Sequence, residues 1–363
     1  MSVPRNINCM IVPTGIGAAI GGYAADANPA CKLLAKASDI LITHPNVVNG
    51  ALLTDIPSNV VVVEGYLLDR FFANQIALRL GVKHKIAVVV DGAATPEERL
   101  LTQTCLDAAT VVYGLDIIPE IFYTDEPIDA NDLIKIGNPY TLFEACDRAR
   151  DAGATAFALL AVLDEDPQSQ AAQDYSKAQG FDPIGSIEAK ISHLVSQVFL
   201  LPSAHAPIVR SKTKTKLESV APRVAAEYLS ESFLASVFKC LQAAPQIIPL
   251  ESNYKILSTG YTKPAELGLS RKPGDLIIHD VANLVVPYDC CNGVPMIECW
   301  KHEVELLCVK NNTTDLDDTA DIFNIPHKLM NSYLEAAGYL LANTRDNQFI
   351  QAEPILEPIK LKS

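Results

Sequence analysis

Residues 86–123 read IAVVVDGAATPEERLLTQTCLDAATVVYGLDIIPEIFY. This stretch decides the fold because its periodicity changes twice. Ile86–Val90 is a short unbroken apolar run that ends at Asp91-Gly92, the signature of a strand buried on both faces. Thr95-Pro96 is a helix start, with a capping hydroxyl followed by a ring already set to helical φ. Glu97 and Glu98 then lie where the helix dipole is positive. A helix over Pro96–Ala109 and a second strand over Ile117–Tyr123 complete the parallel strand–helix–strand unit.

The same alternation extends outward. On the N-terminal side, strands are expected at Cys9–Pro13, Ile40–Thr43 and Val60–Val63, with helices at Pro29–Ala37 and Leu67–Leu80. On the C-terminal side come a helix from Pro139 to Ala152 ended by Gly153, a strand at Thr155–Leu163, and a helix at Ile184–Val198 leading into a strand at Phe199–Pro202. A long helix at Arg223–Ala243, strands at Asp275–Ile278, Leu284–Val286 and Leu306–Val309, and a helix at Lys328–Ala342 follow. The fold class is therefore α/β, with mostly parallel sheets, helices on both faces, and two lobes with a cleft between them. At about 150 residues per domain, 363 residues suggest a first lobe at 1–136, a second at 137–345 and a C-terminal tail at 346–363.

Composition narrows the functions. The chain carries 29 Lys+Arg against 43 Asp+Glu, a net charge of −14, and is 49% hydrophobic. It is too apolar to be disordered. Its negative field repels nucleic acid and anionic membrane surfaces, so neither is expected as a partner. A small-molecule ligand is expected, and a homo-oligomer is left open. Nine cysteines without a C-x-x-C pair fit a reducing compartment, hence a cytoplasmic location. Arg5 followed by the uncharged stretch Asn6–Ala25 has the outline of a secretory signal, but Pro13, Gly15, Gly17, Gly21 and Gly22 favour a buried strand running into a loop. No apolar run is long enough for a transmembrane helix.

In open α/β sheets, ligands bind beyond the carboxyl ends of the strands, so the residues following each strand are the candidates. After the first strand come Thr14, Gly15 and Gly17, spaced G-x-G-x-x-x-G to Gly21. This is an anion-binding loop by composition, but its spacing departs from the dinucleotide fingerprint. After the second comes the polar turn His44-Pro45-Asn46-Val47-Val48-Asn49, where His44 is a candidate acid or base and Asn46 and Asn49 offer donors and acceptors. Glu64-Gly65 and Asp91-Gly92 place carboxylates after the third and fourth strands. His205 lies among small residues that leave room at the imidazole, and His193 follows Ser192 on the preceding helix. Lys310, Asn311, Asn312 and Thr313 follow a late strand and suit a phosphate or carboxylate. The basic run Arg210–Lys216 reads as a lid over an anionic substrate or as lysines guarding a strand edge. Cys290 or Cys291 at a helix start is a candidate nucleophile, against the commoner buried thiol. The residues identify no cofactor and give no metal motif.

The segments VPTGIGAAIGG, ITHPNVVNGA, VEG, GFDPIGSIEAKISH and LPSAHAPI together resemble an uncharacterised conserved family, a domain of unknown function, common in photosynthetic bacteria and their relatives. The resemblance covers about Val12 to Thr314. It implies a shared site but brings no established activity. Asp289–Val294 departs from the family pattern, where more glycine is expected, which weakens a role for Cys290. The functional expectation is an enzyme of small-molecule metabolism acting on a polar or anionic ligand, phosphorylated ones included, in the cleft between lobes. His44 or His205 would serve as general acid or base, with Glu64 or Asp91 orienting. The alternatives are a sugar-nucleotide-dependent transferase, from the strand–turn–helix–strand reading of Asp275–Val309, and a non-catalytic metabolite sensor.

Overall fold

The 86–123 stretch forms its parallel unit. Thr95 caps the helix in a reciprocal box, its hydroxyl accepting from Glu98 N while Glu98 accepts from Thr95 N, and Gly114 ends it at φ +61°. The computed structural model describes residues 6–13, 15–23, 26–48, 56–129, 136–165, 168–180, 182–211, 234–250 and 269–343. In chain order the elements are β1 (Ile7–Met10), α1 (Asn28–Lys36), β2 (Ile40–Thr43), α2 (Pro45–Val48), β3 (Val60–Val62), α3 (Gly65–Phe72) and β4 (Ile76–Arg79). Next come β5 (Lys85–Val90), α4 (Pro96–Tyr113), β6 (Asp116–Tyr123), α5 (Pro139–Asp151), β7 (Ala156–Glu165), α6 (Gln170–Ser176), α7 (Pro183–Phe199) and β8 (Ser203–Ser211). The chain continues with α8 (Leu234–Gln242), β9 (Gln246–Pro249), β10 (Val281–Pro287), α9 (Val294–Lys301), β11 (Glu305–Val309), β12 (His327–Met330) and α10 (Tyr333–Ala342).

The fold is α/β with two parallel sheets. The larger has the order β12-β11-β10-β1-β2-β3, the smaller β6-β5-β7-β8, and β4 pairs with β9 antiparallel. Numbered by appearance within the sheet, the larger runs 3-2-1-4-5-6, the doubly wound order whose crevice lies between its first and fourth strands. Here those strands are β1 and β10. The smaller sheet reverses direction between β5 and β7.

Period-two alternation explains the apolar strands. Ile86, Val88 and Val90 enter a core shared by both sheets, which also holds Met10, Leu41 and Val62, while Ala87 and Val89 enter a separate core beneath α5 and α7. Both faces of β5 are buried, so the strand has no polar side to show.

Four expected elements differ. The helix expected over Leu67–Leu80 stops at Phe72; Asn74 turns left-handed at φ 56°, and β4 follows. Phe199–Pro202 is not a strand, because Val195, Val198 and Phe199 continue the buried stripe of α7 until Leu200 caps it at φ 51°. Lys328 lies in β12, and α10 begins only after Ser332 caps it. Among the described residues, Asp275–Ile278 contributes a single bridge from Leu276 to Leu78 rather than a strand of a sheet. A division near residue 136 falls between β6 and β7, inside the smaller sheet. The larger sheet takes three strands from each side of the inserted smaller one.

Candidate functional site

The chemistry-bearing residues gather where the ends of β2 and β3 meet α7 and β8. Glu64 is the hinge of the arrangement. Its Oε2 caps α3, accepting from Tyr66 N at 2.9 Å and Leu67 N at 3.3 Å. Its Oε1 faces α7, where His193 Nδ1 lies 2.7 Å away and Ser192 Oγ 3.4 Å. The Glu64 side chain is 4% exposed and that of His193 is 47% exposed. A buried carboxylate therefore holds an imidazole that reaches solvent. Gly65 makes the approach possible, since a Cβ there would lie 2.8 Å from His193 Cε1. The V-E-G segment thus supplies a carboxylate and the space beside it.

Partial desolvation pulls the His193 pKa down, but the Glu64 charge and hydrogen bond, helped by Asp69, outweigh it and hold the ring at about 9. Near neutral pH the pair is imidazolium on carboxylate. Asp69, one turn further along α3, is raised by burial to about 6, with the charges of His193 and Arg70 drawing it down.

His205 occupies β8 opposite Leu159 and turns toward α7, where its Nδ1 lies 2.9 Å from Ser192 Oγ. Ala204 and Ala206 point the other way, into the shared core. The room expected around His205 from its small neighbours is therefore on the wrong face, because adjacent strand residues alternate sides. His205 also sits near the start of its strand rather than beyond the end of one. Burial lowers its pKa to about 4.

The T-H-P-N turn continues the β1–β2 ladder by side chains where Pro45 can no longer supply a backbone donor. Thr43 Oγ1 donates to Met10 O, His44 Nε2 accepts from Val12 N at 3.1 Å, and Asn46 Nδ2 donates to Val12 O and Gly21 O. A backbone N–H donating to Nε2 requires that nitrogen bare, so His44 is the neutral Nδ1–H tautomer. Burial likewise lowers its pKa to about 4, with Glu64 and His193 among the charges it feels. His44 and His205, far apart in sequence, thus sense the same two groups.

These shifts carry a stability consequence. A histidine depressed in the folded state contributes stability above its unfolded pKa of 6.5 and loses it as pH falls through the folded value. From 6.5 to about 4, His44 and His205 each contribute at most about 3 kcal/mol. Asp69, raised, works in the opposite direction over the same range. The expected result is an acid loss of stability between about pH 6.5 and 4 by chemical denaturation. His44→Gln, which keeps an acceptor for Val12 N but cannot titrate, should flatten part of it; an unchanged acid limb in that variant would contradict the assignment.

The other candidates have different partners. Asp91 is 1% exposed and clamps the reversal point of the smaller sheet. Its Oδ1 accepts from Ala93 N and Ile128 N, and its Oδ2 from Val162 N. The expected orienting carboxylate is committed to backbone amides. The glycine-rich loop lies at the β1/β10 crevice, and the amides of its second half are taken. Ala19 N donates to Thr313 O, Ile20 N to Asn312 Oδ1, and Gly21 N to Asp26 Oδ1. Asp315 stands over Gly17, where a Cβ would meet its carboxylate at 2.0 Å, and Gly15 faces Ser186 of α7. Carboxylates of the chain itself therefore fill the place where an anion was expected. Asn312 is fully buried and also donates to Tyr333 Oη, while Lys310, Asn311 and Thr313 are exposed. Asn312 and Thr313 close the loop rather than join the histidines.

Thr14, Asn49 and Lys212–Lys216 lie outside the described residues; Arg210 lies in β8, an edge strand. All nine cysteines are unpaired; burial pushes the Cys290 thiol far above its ordinary value, against a nucleophile there, whereas the contact with Cys308 Sγ at 3.8 Å lowers that of the fully buried Cys291. Among the described residues no group of three or more His, Cys, Asp or Glu is placed to hold a metal ion, and no helix is long and apolar enough to cross a membrane.

The cluster lies inside a match to a family described as "Protein of unknown function (DUF3326)", which runs over residues 7–350. The chain belongs to this family. The match is wider than the motifs alone suggested and takes in both sheets and every residue of the cluster. A protein of Synechococcus sp. (strain ATCC 27144 / PCC 6301 / SAUG 1402/1), named "Uncharacterized lipoprotein syc1174_c", is 35% identical over 343 residues, covering 92% of this chain and 89% of that one. No solved structure matches.

Sequence reasoning gave His193 less weight than the edge residues, named Gly65 only as the flexible neighbour of Glu64, and did not single out Asp69. The usable signal was the helix carrying Ser192 and His193. A helix laid across the strand ends delivers residues that no rule about strand ends alone can find.

Proposed function

We propose that this protein is an enzyme of small-molecule metabolism in which His193 and Glu64 form the reactive pair. The half-exposed His193 ring held 2.7 Å from the buried Glu64 carboxylate carries this reading. A protonated imidazole at the surface, oriented from behind by a carboxylate, is a general acid, and such a group contributes roughly 10²–10⁴-fold to rate. The substrate is polar and presents an oxygen to His193. Its charge would be met at this ring, since the glycine loop's amides at Ala19, Ile20 and Gly21 are already bonded.

The nine free thiols favour a reducing compartment and hence the cytoplasm for this chain, although the Synechococcus relative is named a lipoprotein. The net charge of −14 disfavours nucleic acid as a partner.

A thermal-shift series with carboxylic acids, sugar phosphates, nucleotides, sugar nucleotides and NAD(P) tests the reading. A ligand at about 100 times its Kd adds about 2.7 kcal/mol of stability. We expect one class to stabilise the wild type and to be turned over, with turnover lost in His193→Gln. Stabilisation without turnover would support a sensor instead. A shift by sugar nucleotides that His193→Gln leaves intact would support the transferase reading at the β10–α9–β11 unit.

A further inference from the structure

Ser192 is only 2% exposed and lies beside both His205 and the Glu64 carboxylate that holds His193. Its Oγ has three polar neighbours: His205 Nδ1 at 2.9 Å, Ala189 O at 3.1 Å and Glu64 Oε1 at 3.4 Å. The carbonyl and the carboxylate can only accept. A hydroxyl has one proton to give. Spent on His205, it would leave two lone-pair-bearing oxygens facing Oγ with nothing between them. Spent on Ala189 O or Glu64 Oε1, it leaves one such oxygen instead of two and frees Oγ to accept, and His205 Nδ1 is the one neighbour of the three that can donate.

We infer that Ser192 is a positioning residue that fixes His205 as its Nδ1–H tautomer and leaves Nε2 as a bare acceptor for the ligand. The inference extends the proposed function by saying what the second histidine reads. Desolvation keeps the His205 ring neutral near pH 7, against the Glu64 charge that pulls the other way and alongside the His193 charge that helps. A neutral ring with a bare Nε2 receives a hydroxyl or N–H and rejects an anion. His193, charged, presents the opposite preference. The two rings hang on one chain of contacts, His193 Nδ1 to Glu64 Oε1 at 2.7 Å, Glu64 Oε1 to Ser192 Oγ at 3.4 Å, and Ser192 Oγ to His205 Nδ1 at 2.9 Å. The substrate class that fits both carries a carbonyl or carboxylate oxygen together with a nearby hydroxyl or N–H.

The test is the ring-nitrogen NMR spectrum of the ¹⁵N-histidine-labelled full chain near pH 7, in which protonated and bare nitrogens are resolved. We expect His205 protonated at Nδ1 and bare at Nε2. A dominant Nε2–H form, or an even mixture, in the wild type overturns the inference and needs no variant. In folded Ser192→Ala the fixed tautomer should be lost, and Ser192→Thr, which keeps the hydroxyl, should restore it. An unchanged tautomer in folded Ser192→Ala also overturns the inference. His193 is read separately in the same spectra, so failure of the His193–Glu64 pair is distinguishable from failure at His205.

Discussion

Asp91→Ala should lower the unfolding free energy by about 3–5 kcal/mol, since an orphaned buried amide costs about 1–3 kcal/mol. The carboxylate holds three backbone amides, those of Ala93 at 2.9 Å, Ile128 at 3.1 Å and Val162 at 3.0 Å. Ala93 and Val162 are both half-buried, but the Ala93 amide lies in a turn and can rotate to water, whereas that of Val162 is fixed within β7 and the bond to Ile128 is buried. Alanine removes their acceptor and opens a hole at the reversal point of the smaller sheet. Against a typical total of about 5–15 kcal/mol, such a loss is large. Asp91→Asn should cost about half as much, because one oxygen survives and one amide then faces a donor. The measurement is a denaturant midpoint at constant slope. A loss below about 1 kcal/mol in Asp91→Ala would mean that the carboxylate does not hold the sheet, and would return Asp91 to the list of reactive candidates.

Glu64→Gln should bring the His193 pKa from about 9 toward the ordinary histidine value of about 6.5. Glutamine keeps an oxygen for capping α3, so the cap itself should lose no more than roughly 1 kcal/mol, to which the loss of the half-exposed ion pair with His193 adds. What goes is the negative charge 2.7 Å from Nδ1. Asp69 remains nearby and keeps the ring from falling further. Ring-proton NMR against pH reads the change directly. If His193 still titrates near 9 in the variant, its charge is held by something other than Glu64.

The fold was legible because its strands are buried on both faces. Ile86–Val90 has no polar side, and Thr95-Pro96 marks a helix start by local chemistry alone. Legibility ended where a tertiary contact overrides a local pattern. The left-handed turns at Asn74 and Leu200 have no glycine to announce them. The pairing of β1 with β10, more than 270 residues apart, leaves no local trace, and so the insertion of the smaller sheet into the larger was hidden.

The candidate site divided in the same way. His44 and Glu64, which the structure brings into one cluster, were legible as candidates because both follow strands of the larger sheet. His205 was found for a wrong reason, since its alanine neighbours face the core. Asp91 and the glycine loop also sit at strand ends, and there they meet the chain's own amides and carboxylates. Position at an edge is visible in sequence; whether the position is already filled is a property of distant residues such as Asn312 and Asp315.

The account rests on one shared environment for histidines far apart in the chain. The most direct measurement follows the ring signals of His44, His193 and His205 in the wild-type protein from about pH 3 to about pH 10, bracketing the ordinary histidine pKa. The account predicts His193 at about 9 and both His44 and His205 at about 4. Three histidines titrating together near 6.5 would contradict it, because such rings would be solvated separately and would share neither Glu64 nor a site.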